Sequence, residues 1–165
     1  MVTPSPVLGR RVSPFATLAK NFNPSNDDVF LMAFNVYHFP KTEFFSNVFS
    51  KIEMTTNLSD AVKDVDLVVE SVEENLAKKK EIFHQLDQIC PEKTILAHHS
   101  QSLTISEISE KMEKKSRFGG IQFYNPVHIS KNVKIIKCIS TSQETFEKLD
   151  LWGAGMGKET VRGRF

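Results

Sequence analysis

Two hydrophobic patterns alternate along the chain from about residue 54 onward. Short β-branched runs at 67–69 and 94–97 are typical of strands that are buried on both faces. The apolar residues between 76 and 89 instead recur with the helical period, and Pro91 marks the end of that segment. The pattern therefore predicts a strand, a helix and a second strand in this order.

Capping signals mark where the helices begin. Asn57 is placed to cap a short helix through residue 62, and the acidic pair at 73–74 suits the first turn of the helix that follows the first strand. Thr104 and Glu107 have the spacing of a capping box, which predicts another helix start.

Two further strands and a helix are predicted in the last third of the chain. The apolar runs at 118–123 and 133–139 predict strands, and 141–151 predicts a helix that Gly153 and Gly155 would end. Strands that alternate with helices of this length indicate an α/β fold with a mostly parallel sheet flanked by helices.

The N-terminal third has a different texture. Residues 1–52 hold eight of the thirteen phenylalanines, and no clean period runs across 27–40. Only 41–52 has apolar positions at helical spacing. We therefore divide the chain into a divergent, Phe-rich segment over 1–52, expected to be partly disordered, and a regular α/β domain over 53–165.

Composition excludes several classes of partner. The formal net charge is +1, so no basic field attracts nucleic acid or an anionic membrane surface. No apolar run reaches the roughly 18 residues that a membrane-spanning helix needs. Cys90 and Cys138 lie far apart beside apolar runs, as expected of buried thiols in a reduced intracellular compartment, either mitochondrial or cytoplasmic.

Four linked motifs from 60 onward carry a family resemblance. They are DAVKDVDLVVESVEENLAKKKEIFHQLD, TILAHHSQSLTISEIS, RFGGIQFYNPV and VKIIKCISTSQETFEKL. In this order and at these separations they resemble the second half of the NAD-binding domain of L-3-hydroxyacyl-CoA dehydrogenases, over roughly 52–165. The resemblance implies a Rossmann-type domain and NAD-dependent oxidation of the 3-hydroxyl of an acyl-CoA substrate in β-oxidation.

Three residues match cofactor-site positions of that family. The resemblance places Glu74 and Lys79 on the nicotinamide side of the NAD site, and Asn125 of the FYNPV turn in contact with cofactor and substrate. An acid near a helix start and lysines beyond it are also common on solvated helices, so without the resemblance these residues carry no functional signal.

Three other positions depart from the family. The catalytic histidine position is Gln122, whose amide cannot accept a hydroxyl proton. The carboxylate that would orient this histidine is replaced by Lys134, which reverses the charge, and the position of an active-site serine is Gln101. At none of the three catalytic positions that the resemblance implies does this chain hold the family's residue.

Two larger parts of the family pattern are also missing. No glycine-rich strand-to-helix turn, which would hold the pyrophosphate, lies in 1–52, so we expect the first βαβ unit to be absent. The resemblance implies that the family continues beyond this point into a C-terminal helical domain, which we expect to be absent here. The glycine-rich stretch at 153–158 has no strand directly before it and is read as a turn after a helix.

Substitute catalytic groups and metal ligands are weakly indicated. His98, His99 and His128 lie near the expected mouth of the sheet, but adjacent His98 and His99 would point to opposite faces of a strand. No cysteine or carboxylate stands at ligand spacing from them, so no metal site is predicted.

Three functional hypotheses follow. The first is a truncated, catalytically degenerate relative of 3-hydroxyacyl-CoA dehydrogenase in which NAD binding is weak or lost. The second is an active dehydrogenase that works with an intact dehydrogenase subunit, and the third is an interaction module without a ligand.

Overall fold

The chain folds around one mixed β-sheet. The computed structural model describes residues 16–23, 27–34, 52–99, 103–127 and 129–164. Its sheet has eight strands in the order β3-β1-β2-β4-β5-β6-β7-β8. The strands are β1 (Ala16–Asn23), β2 (Asp27–Phe34), β3 (Ile52–Thr55), β4 (Leu67–Glu70), β5 (Ile95–His98), β6 (Phe118–Phe123), β7 (Asn132–Lys137) and β8 (Glu159–Arg164).

The centre of the sheet is parallel, as the sequence predicted. Strand β4 pairs parallel with β5, and β5 pairs parallel with β6. Strand β7 runs antiparallel to β6, and β8 then runs parallel to β7. This arrangement, with helices on the sheet faces, confirms the α/β assignment.

The described residues contain four α-helices. They begin where short polar side chains accept hydrogen bonds from the first-turn amides, as at Asn57, Asn75 and Ser142. Thr104 and Glu107 form the predicted capping box. The helices are α1 (Leu58–Val62), α2 (Leu76–Ile89), α3 (Ile105–Ile108) and α4 (Gln143–Gly155).

The sheet separates two hydrophobic cores. Even-numbered residues of the central strands pack with α1, α2 and α3, and this first core contains Val68, Phe83, Leu96, Ile108 and Phe118. Odd-numbered residues pack with α4 in the second core, which contains Val69, Ala97, Ile121, Ile135 and Phe146. Strands buried on both faces explain the continuous apolar runs in the sequence.

Several predicted boundaries were wrong by a few residues. Glu73 and Glu74 precede the helix cap at Asn75, so they do not form the first helical turn. Strand β7 ends at Lys137, and α4 runs through Gly153 to Gly155. The position of a Cβ on Gly153 would be 2.9 Å from Thr160 and 3.0 Å from Val133, so this glycine serves close packing of the helix.

The N-terminal third contains strands that the sequence did not predict. Strands β1 and β2 form an antiparallel pair, and β2 pairs antiparallel with β4 through Leu31 and Glu70. The helix predicted over 41–52 lies outside the described residues, except that Ile52 begins β3. A β-hairpin therefore occupies the place beside β4.

Both cysteines lie in the core. Cys90 and Cys138 are free and buried, as predicted. Burial raises the pKa of the Cys90 thiol to about 12. Within the described residues, no helix is long and apolar enough to cross a membrane.

A buried ion pair holds the end of α2 against the start of β6. Arg117 Nη2 lies 3.0 Å from Asp87 Oδ1, and its guanidinium also donates to the carbonyl oxygens of Asp87 and Pro91. Asp87 Oδ2 accepts from the amides of Glu113 and Lys114. Burial alone would raise the pKa of Asp87, but these hydrogen bonds and the Arg117 charge together lower it.

We predict that Asp87→Asn lowers the free energy of unfolding by about 3 kcal/mol, because it leaves the buried Arg117 charge without its partner. Since the folded state has the lower pKa, the contribution of Asp87 is complete above its usual pKa of 3.8 and is lost as the pH falls through the folded value. Urea unfolding of both proteins at neutral and acidic pH measures this.

The matched control is Glu92→Gln, because the Glu92 carboxylate contacts Lys114 at the surface and is 85% exposed. We expect this change to alter stability by less than about 0.5 kcal/mol. Equal effects of the two substitutions would show that the Asp87 pair does not stabilise the fold.

Candidate functional site at the carboxyl edge of the sheet

The carboxyl ends of the three parallel strands meet at one edge of the sheet. Strand β4 ends at Glu70, β5 at His98 and β6 at Phe123. Antiparallel β7 begins beside them at Asn132. Open α/β sheets bind their ligands outside this edge, which we call the carboxyl edge.

Gln122 and Lys134 lie directly opposite each other at this edge. They are register partners in the antiparallel pair of β6 and β7, and both are half-buried. They face the first core, because a Cβ on Gly120, two residues before Gln122, would lie 2.6 Å from Ile105. Opposed side chains in such a pair lie about 5 Å apart at Cβ. The structure thus brings together the two positions that the resemblance assigned to a catalytic histidine and its carboxylate, and they hold a glutamine beside a lysine.

Glu70 is the centre of a buried polar cluster one layer deeper. Its Oε1 accepts from Lys79 Nζ at 2.8 Å and from the Val72 amide at 2.5 Å, and its Oε2 lies 2.8 Å from His98 Nδ1. The side chains of Glu70 and Lys79 are 0% exposed and that of His98 is 2% exposed. Lys79 Nζ also donates to the carbonyl oxygen of Val72 at 3.1 Å.

The contact with Glu70 fixes the orientation of the His98 imidazole. A carboxylate only accepts hydrogen bonds, so Nδ1 of His98 carries the donated hydrogen. Its Nε2 is buried and has no hydrogen-bond partner among the described residues. The ring packs edge-on against Phe83, with 6.1 Å between the ring centroids. His98 is therefore enclosed in the core.

His99 points to the other side of β5. Its Nδ1 lies 3.3 Å from Ser71 Oγ, and its ring is 5.7 Å from that of Phe123. Its Nε2 is buried and finds no hydrogen-bond partner in the described part of the chain. Burial first, and then electrostatic interaction with His98 and Lys79, lower the pKa of His99, while Glu70 and Glu74 act in the opposite sense. The imidazole is therefore held in its neutral form at neutral pH.

The three residues that the resemblance assigned to the cofactor site differ in their exposure. Glu74 is exposed in the loop after β4, close enough to His99 to affect its pKa. Asn125 is exposed in the loop after β6. Lys79 is fully buried on Glu70. Gln101 and His128 lie outside the described residues.

The glycine-rich stretch at 153–158 forms the end of α4 and a turn. Gly157 has a φ of +74°, which favours glycine, and the Lys158 ammonium donates to the carbonyl oxygens of Val127 and Ser130 at 2.7 Å each. This lysine holds the loop between β6 and β7. No strand enters the stretch directly from its N-terminal side, in agreement with the sequence analysis.

The Glu70 cluster is the functional feature that sequence reasoning missed. Parallel pairing places Glu70 opposite His98, and the first turn of α2 brings Lys79 Nζ to 2.8 Å from Glu70 Oε1. The sequence does show an acid at the end of LVVE and a histidine at the end of ILAH, and consecutive parallel strands end at the same edge of a sheet. The sequence does not show that these two side chains are buried.

The described residues do not fit the pyrophosphate of NAD. A dinucleotide site needs a glycine-rich turn between the first strand and a helix N-terminus. Gly9 is the only glycine before Gly119, and the strand beside β4 runs antiparallel to it. The described parts of the chain also hold no group of three His, Cys, Asp or Glu residues placed to bind a metal ion.

Comparison with known proteins identifies the family. The family model for the 3-hydroxyacyl-CoA dehydrogenase NAD binding domain matches residues 33–164. Human mitochondrial hydroxyacyl-coenzyme A dehydrogenase is 40% identical over 119 residues, which cover 72% of this chain and 38% of that protein. A probable 3-hydroxyacyl-CoA dehydrogenase of Caenorhabditis elegans is 37% identical over 121 residues, covering 73% and 39%. The chain thus spans about two fifths of the length of these relatives.

Solved structures agree. The 3-hydroxybutyryl-CoA dehydrogenase of Escherichia coli has a TM-score of 0.69 at 29% identity, over 72% of this chain and 25% of that one. The 3-hydroxyacyl-CoA dehydrogenase of Archaeoglobus fulgidus has a TM-score of 0.67 at 30% identity, over 73% and 42%. The matching motifs, sheet and family model lead to one conclusion: the chain belongs to the 3-hydroxyacyl-CoA dehydrogenase family and contains its NAD-binding-domain fold.

Proposed function

We propose that this chain is a catalytically degenerate member of the family, a pseudoenzyme that does not oxidise 3-hydroxyacyl-CoA. The observation that carries the proposal is the pairing of Gln122 with Lys134 across β6 and β7. The family resemblance assigns a proton-accepting histidine and its carboxylate to these positions. An amide cannot take the hydroxyl proton, and a lysine cannot stabilise a protonated imidazole beside it.

The expected loss of rate is large. Removing a general base alone reduces the rate of a reaction by about 10²–10⁴. Misplaced reactants cost several kcal/mol more in the activation barrier, because positioning supplies much of an enzyme's advantage. The fold can be retained without the reaction because neither substitution disturbs the two cores.

Weak or lost NAD binding is the second part of the proposal. It is supported by the antiparallel strand beside β4 and by the absence of any glycine between Gly9 and Gly119. The burial of Lys79 on Glu70 removes another group that the resemblance assigned to the cofactor site. When bound in an active relative, NAD accepts the hydride; here the chain's own residues contribute only structural contacts.

We predict that NADH binding to the purified chain does not saturate up to roughly 1 mM, which corresponds to a binding free energy weaker than about −4 kcal/mol. We also predict that the chain does not reduce acetoacetyl-CoA. Calorimetry measures the binding. Trp152, the single tryptophan, provides a second signal, because its ring lies 6.3 Å from that of Phe123 at the carboxyl edge.

A double variant, Gln122→His with Lys134→Glu, is the internal control. It restores the implied catalytic pair without restoring a pyrophosphate site, so we expect it to remain inactive. Saturable NADH binding without turnover would support the loss of chemistry and contradict the loss of cofactor binding. Clear turnover by the unchanged chain would overturn the proposal and direct mutagenesis to His99.

A stability measurement tests whether Lys79 serves the fold. We predict that Lys79→Met lowers the free energy of unfolding by about 3–5 kcal/mol, because it leaves the buried Glu70 carboxylate without its cation. The neighbouring Lys78→Met is the matched control. Lys78 contacts Glu73, whose side chain is 45% exposed, and we expect a loss below about 1 kcal/mol.

Denaturant unfolding of the two methionine variants gives both values under the same conditions. A Lys79 variant that is as stable as the Lys78 variant would contradict a structural role for the buried pair. It would also make Lys79 available again as a ligand-binding residue.

A further inference from the structure

Among the described residues, strand β8 forms an open edge of the sheet. It is six residues long, it pairs with β7 on one side, and it stands last in the strand order. Proteins commonly protect such edges with proline, a bulge, a short strand or an outward charge. The sequence ETVRGR contains no proline, and its register with β7 is continuous from Glu159 to Arg164.

The backbone groups that face outward can be identified. The Glu159 amide donates to the Lys131 carbonyl oxygen at 2.7 Å, so the backbone groups of Glu159 point toward β7. Because this direction alternates along a strand, the N–H and C=O groups of Thr160 and Arg162 point away from the sheet. These groups can form hydrogen bonds with another strand.

Arg162 is the charged residue that could protect this edge, but its side chain contacts α4 instead. Arg162 Nη2 lies 2.7 Å from Asp150 Oδ2 on α4, and the guanidinium lies 5.8 Å from the centre of the Phe146 ring. Between the two outward-facing residues, Val161 is 41% exposed. The edge therefore offers an apolar centre and free backbone groups.

We propose that β8 binds β8 of a second copy of this chain in an antiparallel pair whose two-fold axis passes through Val161. This interaction goes beyond the proposed loss of dehydrogenase activity and does not depend on it. In this register Thr160 of each copy faces Arg162 of the other as a hydrogen-bonded pair, and the two exposed valines meet in the closer, non-hydrogen-bonded pair.

Charge excludes two neighbouring registers. A centre at Arg162 would oppose two arginines, and a centre at Gly163 would oppose Arg162 and Arg164. Like charges directly opposite each other destabilise strand pairs. A centre at Thr160 and the centre at Val161 each bring Lys158 opposite an arginine at the end of the strand, but within β8 only the centre at Val161 pairs the outward groups of both Thr160 and Arg162.

A contact between opposite charges supports the same register. Glu159 of one copy faces Gly163 of the other, and a Cβ on Gly163 would lie 2.7 Å from Lys134 Cε. The Lys134 side chain therefore lies over the glycine, where the Glu159 carboxylate of the second copy arrives. The residue that replaces the family's carboxylate would then contribute a cation to the interface.

The interface is small. One strand pair buries less than the ~1,200 Å² of an ordinary specific interface, so the association should be weak and reversible. We expect a dissociation constant of roughly 10–100 μM, which sedimentation equilibrium can measure over a range of protein concentrations.

The test compares two substitutions at one position in the full 165-residue chain. Arg162→Pro removes an outward amide and no hydrogen bond to β7, whereas Arg162→Ala removes the contact with Asp150 and keeps the amide. We expect Arg162→Ala to dimerise like the unchanged chain and Arg162→Pro to weaken dimerisation at least tenfold. A monomeric unchanged chain at several hundred micromolar, or equal dimerisation of both variants, would overturn the proposal.

Disulfide trapping tests the register without relying on the proline variant. Val161→Cys places two thiols across the two-fold axis, where the Cα distance of about 4.5 Å suits a disulfide. Leu151→Cys, at a residue that is 71% exposed on α4, is the control. Rapid covalent dimer formation by Val161→Cys alone supports the register, and equal trapping of both cysteines contradicts it.

Discussion

A buried carboxylate, Glu70, is the constraint on which the carboxyl edge depends. Fully buried, it contacts Lys79 Nζ and His98 Nδ1 at 2.8 Å each and the Val72 amide at 2.5 Å. An isolated charge at this depth would be strongly unfavourable, and only the combination of a cation and several donors makes it stable. The cluster joins β4, β5, α2 and the loop after β4 in one set of contacts.

The polar side chains at the carboxyl edge serve the fold. Lys79 and His98 direct their polar atoms at Glu70, inside the first core, instead of at a ligand outside the sheet. Gln122 and Lys134 lie opposite each other on β6 and β7, on the same side of the sheet. In our account the family fold persists because its cores and caps are intact, while the groups that would perform acid–base chemistry have been replaced.

The sequence predicted the regular parts of the fold because local signals decided them. The capping box at Thr104 and the buried runs of β4 and β5 agree with their surroundings at every level. The hairpin of β1 and β2 was not predictable, because its pairing depends on β4 and 27–40 has no clean period. The burial of Lys79 was unpredictable for a related reason: it depends on Glu70, which is nine residues away along the chain.

Single-turnover hydride transfer tests the loss of chemistry most directly. The chain is mixed in excess with NADH and acetoacetyl-CoA, at concentrations high enough to force weak binding, and the absorbance of reduced nicotinamide is followed by stopped flow. Our account predicts that the NADH absorbance decays equally slowly with and without the protein, because the amide of Gln122 cannot exchange a proton with the substrate. A protein-dependent exponential loss of NADH would contradict it.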